Sequence, residues 1–260
     1  MTRARRIAAP LLFFGGLVVL WEAAVRRSGD FALFPCPSGI AEAAFRRLND
    51  GTLISAATGS LGRVLVGFAI GAALGTPLGL AMGLAPPVRR AMGPIVDSLR
   101  SVAPIAWIPM ALLWLGIRGN AALFVIAYAT FFPFVLNTVQ AVQLVDRVLV
   151  SAARNLGAGR TLMLRGVILP SALPVILTGA RISLGFAWGS VIAAELAIGI
   201  KVHSGTEAAV GVGQQMVNTL YFHRDVNALV LYMLVIALIS LAIDRGLRGA
   251  QRALTPWRQT

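Results

Sequence analysis

Apolar residues run through this chain in long blocks separated by short polar breaks. Blocks at 7–25, 56–84, 94–115, 121–142, 171–199 and 226–243 each approach or exceed the roughly 20 apolar residues that a helical membrane span requires. The pattern predicts an all-α, polytopic membrane protein with about six transmembrane helices. The polar stretch 26–54 has a finer pattern. Ile40, Ala44 and Leu48 recur every four residues while Arg46, Arg47 and Asp50 fall elsewhere. This predicts a short amphipathic helix on the outer membrane surface, with Ser38 as its N-cap.

The second block carries Gly67, Gly71, Gly75, Gly79 and Gly83, one every four residues. Such a helix is poor in water, but in lipid a stripe of small residues lets two backbones approach. Pro77 is expected to kink it. Pro86-Pro87, with Arg89 and Arg90, reads as a break and turn before the third span. Pro104 and Pro109 inside that span predict a bent or broken helix, which is tolerated where protein or a cavity surrounds it. Gly116 to Asn120 reads as a tight turn. The domains that follow are an N-terminal anchor and amphipathic segment over 1–54, a five-helix core over 55–250 with a loop at 146–170, and a tail over 251–260.

Only 13% of residues are charged, where a soluble domain carries about 25%. The net charge of +13 rests on arginines and one lysine, Lys201. They lie between apolar blocks and form no basic face, which argues against nucleic acid as a partner. Fourteen basic residues, Arg100 among them, fall in proposed cytoplasmic segments and seven in proposed outer ones. That bias predicts both termini in the cytoplasm. The first block, preceded by Arg3, Arg5 and Arg6 and lacking a cleavage site, reads as a retained anchor.

Cys36 stands alone, so there is no intrachain disulfide or thiolate cluster. His203 and His223 lie in a polar loop and read as solvated, and no metal or cofactor is expected. No H-E-x-x-H occurs, and Lys201 follows Ile200, so no Walker sequence is possible. The chain is expected to have no catalytic residues, and a partner must supply any ATP-derived energy.

Residues 146–170 form the longest loop on the arginine-rich side. They read as a short helix, a glycine turn at Gly157, and a second helix stopped by Pro170. An ordered loop between spans is a binding element. It resembles the EAA loop of ATP-binding-cassette importer permeases. Ala152, Ala153, Gly157, Leu169 and Pro170 match in register, Val167 takes the Ile position, and Ser151 stands where the family has Glu. Further stretches are similar to the nitrate/sulfonate/taurine branch: Ser60 to Val64, Leu99-Arg100, Pro104 to Pro109, Leu113 to Ile117, Phe131 to Pro133, and Ala187-Trp188 with Ala193-Ala194-Glu195. The resemblance covers about residues 33–257.

This resemblance implies the type I importer permease fold and a permease subunit in the bacterial cytoplasmic membrane. It implies a nitrate, sulfonate or taurine-type solute. It also implies three partners besides lipid: a cytoplasmic ATPase dimer, a second permease chain forming a homodimer, and an extracytoplasmic substrate-binding protein. Ser151, Ala152, Ala153, Arg154, Gly157, Ala158, Leu169 and Pro170 would dock on the ATPase. The extra residues near Lys201, His203 and Glu207 lengthen the family's outer turn, whose place Gly211-Val212-Gly213 takes. From the residues alone, a secondary transporter or channel not driven by ATP stays open, as does a membrane scaffold.

Charge inside a span is costly and marks either a buried pair or a wet pathway. Arg63, Arg181 and Glu195 fit either reading, as do the polar Asn137 and Gln140 with Thr130 on the fourth span. Arg181 and Glu195 lie about 21 Å apart along one helix, too far to pair with each other.

Overall fold

A computed structural model describes residues 3–30, 33–116, 119–201 and 211–254. No strand occurs among them. In chain order the helices are α1 (Arg3–Ser28), α2 (Pro37–Asn49), α3 (Thr52–Leu84), α4 (Pro86–Arg100), α5 (Ile108–Leu115), α6 (Asn120–Gln143), α7 (Arg147–Asn155), α8 (Arg160–Leu162), α9 (Leu169–Lys201), α10 (Val212–Asn218) and α11 (Val226–Leu254). A 3₁₀ turn, Pro104–Trp107, leads into α5, and a π-helical turn, Met163–Ile168, joins α8 to α9.

Helices α3 and α6, the run Arg160–Gly199, and α11 are long and apolar enough to cross a membrane. Helix α4 and the segment Pro104–Leu115 are together long and apolar enough for one further crossing, bent by 81° at the break between them. The block expected as the first span is helical within α1.

The bent crossing starts earlier than the sequence reading placed it. The break expected at Pro86-Pro87 falls at Ala85, where α3 ends, and the two prolines open α4, because a first-turn residue needs no intrahelical N–H bond. A second break falls just before Pro104, where Ala103 is extended at ψ 135°. A residue preceding proline is pushed out of the helical region.

The core forms where α3 packs along α6, and α6 in turn along α9. The glycine stripe faces α6. A Cβ on Gly67 would lie 2.6 Å from Ile126, and one on Gly79 would lie 2.6 Å from Thr138. Only residues without a side chain allow this approach, and in lipid that close packing takes the place of a hydrophobic driving force. Val64 and Ile126 then meet Leu184, Ala187 and Val191 of α9 in one buried cluster.

Helix α2 forms as the pattern predicts, and part of its apolar face meets protein: Ile40 and Ala43 are buried with Ala228, Leu231 and Tyr232 of α11, while Leu48 is exposed. It starts at Pro37 behind Cys36, so Ser38 is not the N-cap. The Ser38 amide and hydroxyl donate instead to Glu22 at 3.1 and 2.7 Å, tying α1 to α2. Just outside α3, the Thr52 hydroxyl and amide donate to Asp50 and hold its carboxyl below the usual range.

Candidate functional site

Three features of this bundle could do work: the 146–170 loop, a buried carboxylate at the opposite end, and a pair of cavities between them.

Helix α7 is closed at both ends by its own residues. The Asp146 carboxylate accepts from the Val148 amide at 2.8 Å, as an N-cap does. At the other end Gly157 is left-handed, with φ 79°. The Ala158 amide donates to Ala153 at 3.0 Å and the Gly157 amide to Arg154 at 3.0 Å. That pair of bonds is the Schellman arrangement, and its left-handed position favours glycine. Ser151, Ala152 and Arg154 are exposed, and Ala153 and Ala158 are half-buried. Apolar side chains stand in the open beside them: Val148 is 71% and Leu156 88% exposed. Leu169 and Pro170 are half-buried in the first turn of α9, outside this cluster.

Pro170 does not stop a helix. The run Arg160–Gly199 passes through it without a break. The π-helical turn just before it shifts the bonding to i→i+5, and such turns accommodate a proline that has no N–H to give.

At the far end of α9, Glu195 is fully buried. Arg63 Nη1 donates to its Oε1 at 2.6 Å, the Ser60 hydroxyl lies 2.8 Å from both carboxylate oxygens, and the Gly213 amide donates to Oε2 at 2.9 Å. The Ser60 oxygen also accepts from the Val212 amide at 2.8 Å. A Cβ on Gly213 would lie 2.7 Å from the Cβ of Glu195, and Gly211 presses on the same carboxylate. Glycines at 211 and 213 therefore let the start of α10 reach the carboxylate. A buried charge is tolerable when paired and hydrogen-bonded in this way. The segment His203 to Glu207, expected as an insertion, lies outside the described residues.

Arg181 is held from another helix. Its Nε lies 2.9 Å from Asp244 of α11, which also accepts from Arg248 Nε at 2.8 Å. Thr130 donates to the Ile126 carbonyl at 2.9 Å within its own helix, and Gln140 is exposed. Asn137 donates to the Pro133 carbonyl at 2.8 Å and lines a cavity. Sequence reasoning did not find Ser60, Asp244 or the backbone of Gly213 as partners. Ser60 lies one turn before Arg63, and Asp244 four residues before Arg248, which are the spacings that place side chains on one helix face.

Two cavities lie between the bent crossing and α9. One, of about 310 Å³, is lined by α4, α6 and α9; the other, of about 410 Å³, is lined by Pro104, Ile105 and α9. They share Pro104, Ile182 and Phe186. Neither Arg63, Arg181 nor Glu195 is among the residues lining them.

Comparison with known proteins agrees with this architecture. The family model described as "Binding-protein-dependent transport system inner membrane component" matches residues 75–259. The taurine transport system permease protein TauC of Escherichia coli is 35% identical over 246 residues, covering 93% of this chain and 86% of TauC. The bicarbonate transport system permease protein CmpB of Synechocystis is 32% identical over 197 residues, covering 76% of this chain and 67% of CmpB. Among solved structures, the MetNI methionine ABC transporter in an inward-facing conformation superposes with a TM-score of 0.65 at 21% identity, over 78% of this chain and 96% of that one. That likeness concerns the fold, the one shared by type I importer permeases. With more than half its length matched and relatives above 30% identity across most of it, this chain belongs to the family of binding-protein-dependent inner-membrane permease components, the non-catalytic membrane subunits of ABC importers.

Proposed function

We propose that this permease imports a small oxyanion or sulfonate, with the α7 turn as the surface on which a cytoplasmic ATPase docks. The observation that carries the docking is the exposed apolar edge at Val148 and Leu156, on a helix whose backbone is already capped at both ends. Apolar side chains at an ordered turn, with polar residues around them, suit a protein partner. The solute class rests on relatives named for taurine, a zwitterion with a sulfonate end, and for bicarbonate, an anion; both are small and present a negatively charged oxygen group near neutral pH.

In this reading the 146–170 loop and both termini lie in the cytoplasm, and the Glu195 end faces outward. A second copy of the chain completes the pathway, and a binding protein delivers the solute to the outer end. ATP binding moves the chain only by favouring one of its global states over another. The loop is where that preference enters. The side chains of Ser151, Ala152 and Arg154 flank the contact, and Gly157 sets the turn that presents Leu156.

The test is uptake into proteoliposomes holding the permease with its ATPase, supplied with loaded binding protein. Labelled taurine, nitrate and bicarbonate are tried in turn. At least one should accumulate, and only with ATP. Accumulation without ATPase or nucleotide would refute the ATP-driven reading in favour of a secondary transporter. Import only of solutes that carry neither a sulfonate nor an oxyanion group would refute the solute class.

A further inference from the structure

Basic residues along the crossings are treated in two ways. Arg63 and Arg181 are drawn into the protein by Glu195 and Asp244 on other helices. Arg100 is placed differently. It ends α4 at the break of the bent crossing, its side chain is half exposed, and it lines the 310 Å³ cavity. It is the one charged residue among those lining either of the two adjoining cavities.

Its depth is fixed by its neighbours. Tyr128 donates its hydroxyl to the Leu99 carbonyl at 2.5 Å, and Tyr128 and Phe132 flank the midpoint of α6. Val96, one turn earlier, is buried with Phe132 and Val135. Arg100 therefore sits near the middle of the crossing and not in a cytoplasmic segment, where the charge count had placed it. A guanidinium at that depth must face water or protein and not lipid. Broken helices at mid-depth are where transporters line their solute route, because irregular backbone survives there only around a cavity.

We propose that Arg100 is a transit site for the anion, a fixed positive charge at mid-membrane that the solute meets between the outer mouth and release. The proposal rests on the anion reading above. Asp97 lies 2.9 Å from Arg100 Nε and takes that edge of the guanidinium, while its terminal nitrogens are left for a ligand. Asn137 and Tyr128, on the same cavity, add polar groups. The rest of the wall includes Pro104, Ile182 and Phe186 and contributes no charge. A route must hold its ion well enough to admit it and loosely enough to release it. A guanidinium half-compensated by Asp97 and lacking a second basic neighbour on the wall meets both demands. In a two-copy pathway each chain contributes one such charge.

The test uses the assembled transporter in proteoliposomes, with Arg100→Gln and Arg100→Lys compared against the unaltered chain. Both uptake of taurine, nitrate or bicarbonate and ATP hydrolysis stimulated by loaded binding protein are measured. Arg100→Gln should lower uptake about tenfold or more while stimulated hydrolysis stays within about twofold, because docking and switching do not need this charge. Arg100→Lys should recover most of the uptake, since it keeps the charge. Normal uptake by Arg100→Gln overturns the proposal, and so does a Lys variant no better than the Gln variant. So does a Gln variant that loses hydrolysis in step with uptake, which would assign Arg100 a structural role. Failure of the anion reading is separable: it appears in the unaltered chain, which would then import none of the anions.

Discussion

The two ends of α9 handle polar groups in opposite ways. At the far end, Glu195 is buried and satisfied by Arg63, Ser60 and the Gly213 amide. Every contact points inward and joins α3, α9 and α10. At the near end, the α7 turn satisfies its own backbone and leaves Val148 and Leu156 open. The difference separates shape from contact. The Glu195 charge is neutralised by partners that are always present, so it serves the fold. An apolar side chain at a capped turn costs little when free and gains area only when a partner covers it. Substitutions at the far end should therefore be read in stability, and those at the near end in transport.

The largest stability effect is expected at the carboxylate. Glu195→Ala removes the acceptor of Arg63, Ser60 and Gly213 at once, and breaking a buried ion pair from one side costs about 3–5 kcal/mol. Thermal unfolding of the detergent-solubilised chain should show it. An unchanged midpoint would mean that this cluster does not hold α10 in place. Ser60→Ala is milder. It leaves the Val212 amide without its acceptor and takes one donor from the carboxylate, for about 1–3 kcal/mol. Its midpoint should fall between those of the unaltered chain and Glu195→Ala.

What the sequence showed and what it hid follow the same division. Local signals carried the helices: the apolar blocks, the four-residue glycine stripe that meets α6, and the capped α7 with its left-handed Gly157 are all written in neighbouring residues. Pairings between distant elements were not. Nothing near Glu195 in sequence points to Ser60, 135 positions away, because the contact depends on how α3 and α9 pack. Pro170 was misread for a physical reason. It looks like a stop, yet it follows a π-helical turn, while Pro86 opens a helix just past the break at Ala85; at both positions a missing N–H leaves no bond unmade. Arg100 was counted with the cytoplasmic arginines although the block 94–115 encloses it, because charge alone does not show depth; the packing of α4 on α6 does.

The near end should reverse the ranking between stability and transport. Gly157→Val finds no atom within 4 Å of its new Cβ, so there is no clash. The cost is conformational. A β-branched residue held at φ 79° is strained by about 1–2 kcal/mol. The strain can be relieved by fraying the end of α7 alone, so the global midpoint should shift less than for Ser60→Ala. Hydrogen exchange at the Gly157 and Ala158 amides should accelerate and ATP-dependent uptake should fall sharply. Full uptake with a frayed turn would mean that the turn's shape is irrelevant to the motor.

Leu156→Asp is the sharpest case, because its stability effect should be the smallest of the four. Leu156 is 88% exposed and sits at the end of a helix with no buried residue, so the folded chain loses almost no packing when it is replaced. A surface change of this kind stays within about 0.5 kcal/mol. The backbone bonds that close the turn do not use the side chain and should persist. If an ATPase covers this edge, however, a carboxylate is placed where an apolar contact is required, and it must be desolvated without a partner. The permease should then unfold at its usual temperature, fail to retain the ATPase on purification, and import nothing. Arg154→Ala, two residues away and also exposed, controls for a general loss of surface charge, and its effect on ATPase retention should be smaller. Normal retention and uptake by Leu156→Asp would overturn the docking role assigned to this exposed edge.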